Sequence, residues 1–385
     1  MTNTPKRKIL LFADWYYPAF KAGGPVQSCH NIAKMLGHQY QFYVVTSDRD
    51  LGDTQPYAGI STTDWVDGND GEKIRYLYRN TMNPGTVRKI MHEVQPDVIY
   101  FNSMFSLLYT LMPLWVLQRM RFGGRVVLAP RGMLHAGALM RKSVKKTIFL
   151  RTFWLSGWPG KMVFHATDAQ EQKDVKRYFR RSKQVVLAEN IPNTDPDPLT
   201  LREKEKDTLR LVFISRLHAK KNLHLLLELL RQHSLQGSLS LDVYGEAEDP
   251  EYERKCRQTA AGLPGNITVT FRGPLPHNLV FGTLHQYHLF VLPTLGENFG
   301  HAIFEALSSG TPVLISDKTP WSGLAARKAG WEIPLKLPEQ YLQAIREMLA
   351  MDQQEYREWS AGALAFSRHF LESVDIISKY RILFQ

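Results

Sequence analysis

Only two cysteines occur in the 385 residues, Cys29 and Cys256, far apart in the chain. That excludes a disulfide framework or a thiolate metal cluster and fits a reducing compartment. No segment approaches the roughly 18 apolar residues of a membrane-spanning helix. The first apolar run, Ile9–Ala13, is cut at once by Asp14, so it is no secretory core either. The expectation is a cytoplasmic protein, soluble or peripheral on a membrane. Repeats at a solenoid period and low-complexity tracts are missing. So are helix-turn-helix, RNP and zinc-finger spacings, which argues against a nucleic-acid partner.

What is present is a globular composition, 44% hydrophobic and 22% charged, in a chain long enough for two domains. The net charge of +11 is unevenly spread. Residues 1–199 carry 27 Lys and Arg against 16 Asp and Glu, whereas residues 200–385 carry 21 of each. Residues 121–185 alone hold 15 basic and 3 acidic side chains. A field so placed suits an anionic partner on the first half only.

Short apolar strands alternate with helical stretches. Lys8–Ala13, Phe42–Thr46, Val98–Phe101, Val126–Ala129, Lys161–Ala166 and Gln184–Ala188 read as strands, with a helix over Val26–Leu36 and a polar excursion over 50–73. Prolines at 196 and 198, followed by the charged run Arg202–Asp207, read as a linker. The pattern then restarts with strands Arg210–Ser215, Ser240–Tyr244, Ile267–Phe271, Leu289–Leu292 and Pro312–Ser316. Helices are expected over Leu223–His233, Glu251–Ala261 and Gly300–Ser309, and mostly helix from Pro338 on. Such alternation predicts an α/β protein with parallel sheets, divided into residues 1–198 and 199–369, with a last helix at about 370–385 packing back on the first domain. Two such domains in series put ligands at the carboxyl ends of their strands.

Two strand-to-helix junctions carry candidate chemistry. In Glu297-Asn-Phe-Gly-His-Ala-Ile-Phe-Glu305, Glu297 falls in a loop and Glu305 in the helix that follows. Backbone N–H groups of Asn298, Phe299, Gly300 and His301 at that helix start suit an anion. Glu297 suits sugar hydroxyls and Glu305 a ribose; acidic residues placed against the helix dipole are the plainer alternative. Arg216 and Lys221 lie five apart across another strand-to-helix turn, spaced to clamp a diphosphate, or else merely solvated.

These residues resemble a retaining GT-B glycosyltransferase of family 4, the glycosyl transferases group 1. Tyr17-Pro18 with Gly23-Gly24 is similar to the family's first donor loop. Arg216, Lys221, Pro293-Thr294, Glu297, Phe299-Gly300, Glu305-Ala306, Gly310 and Pro312-Val313 match its second half in order and spacing. The resemblance implies two Rossmann-like domains facing across a cleft and a sugar-nucleotide donor. Gly23 and Gly24 would let backbone approach its phosphates, Arg216 and Lys221 would stabilise the departing diphosphate, Glu297 would hold the sugar and Glu305 the ribose. No cofactor and no metal are expected.

The segment Pro130-Arg131-Gly132-Met-Leu-His135 departs from the common pattern, since Arg131 takes the place of a usual His. It resembles a subgroup found in bacterial surface-polysaccharide pathways, and either Arg131 or His135 is the candidate beside the anomeric carbon. On a helical wheel Arg141, Lys142, Lys145 and Lys146 share a broad sector with Phe149 and Phe153, which suits an anionic membrane interface; a solvated helix with its aromatics in the core is the alternative. The expected activity is transfer of a sugar from a UDP- or GDP-sugar to a lipid-linked glycan for capsule, O-antigen or exopolysaccharide. A GT-B epimerase or phosphorylase would share much of the same site.

Overall fold

The computed structural model describes residues 5–135, 143–195, 202–373 and 375–385. The chain forms two compact units, Met1–Ile191 with Asp375–Gln385, and Pro192–Val374. The division thus falls at 191/192 rather than 198/199, and the returning segment starts at 375.

In the first unit the strands are β1 (Arg7–Phe12), β2 (Tyr40–Ser47), β3 (Val66–Asp67), β4 (Lys73–Leu77), β5 (Val98–Phe101), β6 (Arg125–Leu128), β7 (Val163–Ala166) and β8 (Gln184–Leu187). They form one eight-stranded sheet in the order β3-β4-β2-β1-β5-β6-β7-β8. β1 pairs in parallel with both β2 and β5, while β3 is an antiparallel edge on β4. All four residues of β5 are buried, the continuous apolar run of a strand covered on both faces. The helices are α1 (Gly24–Leu36), α2 (Pro84–Val94), α3 (Met112–Met120), α4 (Ser143–Leu155) and α5 (Ala169–Tyr178). Starts follow local chemistry: Asn83 caps α2 by accepting from the Thr86 amide at 3.0 Å, with Pro84 in its first turn.

In the second unit β9 (Thr208–Ile214), β10 (Ser238–Tyr244), β11 (Ile267–Gly273), β12 (Leu289–Leu292), β13 (Val313–Ser316) and β14 (Gly330–Ile333) make a six-stranded sheet ordered β11-β10-β9-β12-β13-β14, with parallel pairs throughout. Its longer helices are α6 (Leu223–Gln232), α7 (Pro250–Ala261), α8 (His301–Ser308), α9 (Glu339–Ala350) and α10 (Gln353–Ser373). Leu223, Leu226, Leu227 and Leu230 of α6 face the core at helical spacing and are fully buried. Gly245 follows β10, and a Cβ there would stand 1.9 Å from the Ser215 carbonyl oxygen, so only glycine lets β10 end beside β9.

The final helix, α11 (Ile376–Phe384), belongs to the first unit. Phe384 meets Tyr40, Phe42 and Tyr100, and the Arg125 guanidinium donates to the Leu383 and Ile382 carbonyls at 2.7 and 2.8 Å.

Three expectations need correction. The charged run after the prolines is no solvated linker where it is described: Arg202 and Lys204 are buried. Arg202 donates to the Gly310 carbonyl at 3.0 Å and the Ser309 carbonyl at 2.5 Å, closing the orphan carbonyls at the end of α8. Lys204 Nζ donates to Leu349 and Met351 carbonyls at 3.2 and 3.0 Å, and desolvation lowers its pKa to about 8. The polar excursion over 50–73 conceals β3 and runs into β4. Phe149 does not face outward: its ring sits 4.9 Å from Phe105 and stacks 5.5 Å from Phe153, within the core side of α4.

Candidate functional site

Each sheet reverses its winding direction once, between β1 and β5 in the first unit and between β9 and β12 in the second. Ligand crevices of open α/β sheets lie at such points, outside the carboxyl ends of the strands. The candidate residues of the second unit gather there. Arg216 follows β9 and Lys221 closes a helical turn over Ala219–Lys221. Asn222 then takes a left-handed conformation at φ 58°, which asparagine tolerates, and α6 begins. Glu297 follows β12, its amide donating to the Lys318 carbonyl at 2.9 Å. Gly300, at φ 77°, starts α8, which carries Glu305.

The structure brings Lys221 and Glu297 together as an ion pair through Lys221 Nζ and Glu297 Oε1, their side chains 15% and 13% exposed. Thr294 adds a hydroxyl bond to the same oxygen at 3.2 Å. Burial by itself would raise the Glu297 carboxyl. Lys221, and behind it Lys220 and Thr294, overcome that and hold it below the usual carboxylate range. Arg216 is paired too, with Glu248 at 2.8 Å, but near the surface. Both expected diphosphate cations therefore carry a carboxylate partner that an anion would have to displace or share. Glu305 is buried and pairs with His277 at 2.8 Å, a contact across 28 residues that the sequence reading missed. Asn298 is half-buried, and Phe299 and His301 are buried with ring centroids 5.0 Å apart. Phe299 also packs on Trp321, whose indole N–H donates to the Phe299 carbonyl at 2.6 Å, so α8 starts from a fixed aromatic base.

In the first unit Gly23, at φ 71°, caps α1, and Gly24 and Pro25 open the helix. Arg131 follows β6 with φ 55° and turns its guanidinium inward. Nε donates to Asn102 Oδ1 at 2.7 Å, Nη1 to Asn190 Oδ1, and Nη2 to the Tyr100 hydroxyl at 3.0 Å. Since Tyr100 accepts from Arg131, its own proton goes to His165 Nδ1 at 2.7 Å, and His165 Nε2–H then donates to the Ala188 carbonyl at 2.8 Å. Burial, with the Arg131 charge next, lowers the His165 pKa to about 3, so the ring is neutral.

His135 has a different setting. Nδ1 stands 2.7 Å from Asp174 and Nε2 3.7 Å from Asp168. Asp168, then Asp174, raise its pKa to about 9 against the opposing effect of burial. His135 is thus an imidazolium at neutral pH and no general base. Glu171, fully buried, accepts from the Gly132 amide at 2.5 Å and the Thr167 amide at 2.7 Å, locking the turn between Arg131 and His135. Its sequence signal was local: Asp168 caps α5 by accepting from the Glu171 amide at 2.8 Å.

As for metals, His30, Asp70 and Glu72 could offer ligand atoms within 4.8 Å of one another. Those atoms are already used: the Tyr16 hydroxyl and the Asp70 amide donate to Glu72 at 3.1 and 3.0 Å, and His30 Nε2 is 3.5 Å from Asp70. Of the basic helix residues, Arg141 and Lys142 lie outside the described residues, and Lys145 is placed only as part of α4. Lys146 sits over the Phe105 ring at 5.5 Å. Among its described side chains, α4 exposes the apolar Ile148, Trp154 and Leu155. No described helix is long and apolar enough to cross a membrane.

Residues 200–364 match the family model of glycosyl transferases group 1. The solved sucrose-phosphate synthase of Thermosynechococcus elongatus aligns over 98% of this chain and 99% of its own, at TM-score 0.69 and 18% identity. HepE of Anabaena, solved with UDP and glucose, aligns over 98% of both chains at TM-score 0.66 and 16% identity. The GtfA subunit of a UDP-N-acetylglucosamine–peptide N-acetylglucosaminyltransferase from Streptococcus gordonii is 23% identical over 150 residues, 39% of this chain. The chain spans only 28% of that relative's length. Two parallel α/β units with these neighbours define the GT-B glycosyltransferase fold. The match to glycosyl transferases group 1 is thus a likeness of residues 200–364, and the likeness of the rest of the chain is one of fold.

Proposed function

We propose that the protein transfers a hexose-type sugar from a UDP- or GDP-sugar to a glycan acceptor, with retention of configuration, as in family 4. The observation that carries this reading is the group at the switch point of the second sheet: Lys221 with Glu297, Arg216 on the turn that leads to Lys221, and Glu305 on the helix that Glu297 precedes. Fixed cations can meet the charge that develops on a departing nucleoside diphosphate, and buried carboxylates can hold hydroxyls. The UDP and glucose in HepE and the UDP-linked donor in the name of the GtfA subunit support a nucleotide-sugar substrate. No metal is assigned to the reaction, because the leaving charge is met by these side chains.

The acceptor in this reading is a lipid-linked oligosaccharide of a surface-polysaccharide pathway, reached at the inner face of the cell membrane. Support comes from the +11 charge of residues 1–199 and from the exposed Ile148, Trp154 and Leu155 on α4. A panel of sugar nucleotides, scored by thermal stabilisation and then by transfer to lipid-extracted acceptors, tests the whole assignment. Stabilisation by none of them refutes the donor assignment. Sedimentation with anionic vesicles, lost in I148E/L155E, tests the membrane part, and binding indifferent to those changes and to salt refutes it.

A further inference from the structure

The Arg131 guanidinium bonds to the end of β5 and to the segment beyond β8 and so lies at the centre of a polar network. Nε holds the Asn102 side-chain oxygen at the end of β5, Nη1 holds the Asn190 oxygen beyond β8, and Nη2 holds Tyr100. Two of these partners reach onward to the start of α1. Asn102 Nδ2 donates to the Pro25 carbonyl at 3.1 Å. The Ser28 hydroxyl lies 3.0 Å from both Asn190 Oδ1 and the Gly24 carbonyl. The Asn102 amide is fixed by opposite demands, its oxygen accepting from Arg131 while its nitrogen donates to Pro25. It cannot flip without breaking both bonds.

We infer that Arg131 is a positioning residue rather than a catalytic one: through Asn102 and Asn190 it sets the backbone of Gly24 and Pro25, next to Gly23. This rests on the proposed function together with the resemblance of Tyr17-Pro18 and Gly23-Gly24 to the donor loop of family 4. Its guanidinium is bonded within the unit through all three nitrogens and has a planar fork that a lysine cannot reproduce, since one ammonium reaches at most part of a triangle of partners. A misplacement of the loop by an ångström or so is enough to cost on the order of 100-fold in rate.

The test compares wild type, R131K and N102D in the full chain. N102D keeps an acceptor for Arg131 but has no N–H for the Pro25 carbonyl, so it breaks the tether while leaving the guanidinium paired. Expected are a kcat at least ~10-fold lower and a nucleoside diphosphate affinity by calorimetry at least ~3-fold weaker in both variants, with the urea midpoint of the chain kept. Wild-type kcat in N102D overturns the inference, because the loop would then not depend on the tether. A urea midpoint that falls together with kcat also overturns it, since that marks general damage. A wild-type enzyme that turns over no sugar nucleotide refutes the underlying function instead, and the two failures are thereby distinct.

Discussion

Replacing Lys221 by alanine should separate the structural and the chemical use of its pair with Glu297. Both side chains are largely enclosed, at 15% and 13% exposure. Removing one partner of a fully buried pair costs about 3–5 kcal/mol. Here Thr294 still donates to Glu297 and some water reaches the site, so about 2 kcal/mol is expected. In a unit of this size that lowers the melting temperature by about 4–8 °C. The sign with pH follows from the carboxylate. In the native protein its pKa is held low, so its contribution is present above the ordinary value of 4.5 and is lost as pH falls through the depressed one. Without Lys221 burial dominates and raises the pKa, so the deficit of K221A should be larger at pH 7.5 than at pH 5. Adding E297Q should restore stability, because a neutral amide needs no counter-charge. It should not restore turnover, expected to be down ~100-fold through the loss of a charge-stabilising group. Urea denaturation at both pH values and a sugar-transfer assay on the two variants decide the matter. Recovery of turnover in K221A/E297Q would refute the claim that Lys221 meets the leaving diphosphate, and wild-type stability in K221A would refute the buried-pair argument.

R216A should reduce turnover by ~100-fold without loss of stability, whereas E248Q, which releases Arg216 from a half-exposed pair, should tighten nucleoside diphosphate binding by a few-fold. Titration calorimetry checks both, and an unchanged R216A counts against the clamp. E305A should weaken nucleoside diphosphate binding by ~10-fold, about 1.4 kcal/mol, and a Kd equal to wild type would remove Glu305 from the ribose site. His135 is raised from 6.5 to about 9, so its contribution is complete below about pH 6.5 and disappears as pH rises through 9. With the ring's partial exposure allowed for, about 1–2 kcal/mol of stability should vanish over that interval in the wild type but not in H135Q, as read by urea midpoints. G245A should lose at least about 2 kcal/mol, given a Cβ placed 1.9 Å from the Ser215 oxygen, and a small loss would mean that β9 and β10 can part there.

What the sequence showed and what it hid differ by the range of the interactions involved. The strands β5, β12 and β13 are buried at every position, so composition over four residues sufficed to place them. Glu297 and Glu305 were legible because a loop and one turn of helix fix their relation locally. The partners that define their chemistry were not: Lys221 is 76 residues from Glu297, and His277 is 28 from Glu305. His135 likewise gains its charge from Asp168 first and Asp174 next, both more than thirty residues on, which no local pattern reveals. Helix faces fail differently. Phe149 and Ile148 are neighbours in sequence, yet one stacks on Phe153 and the other is 58% exposed, since each residue turns the helix by about 100°. Arg202 and Lys204 are the sharpest case. Their charges read as solvated linker because side-chain type carries no trace of the carbonyls left over at the ends of α8 and α9. Those carbonyls need donors, long cationic side chains reach them, and burial of the charge follows from that need rather than from any hydrophobic pattern.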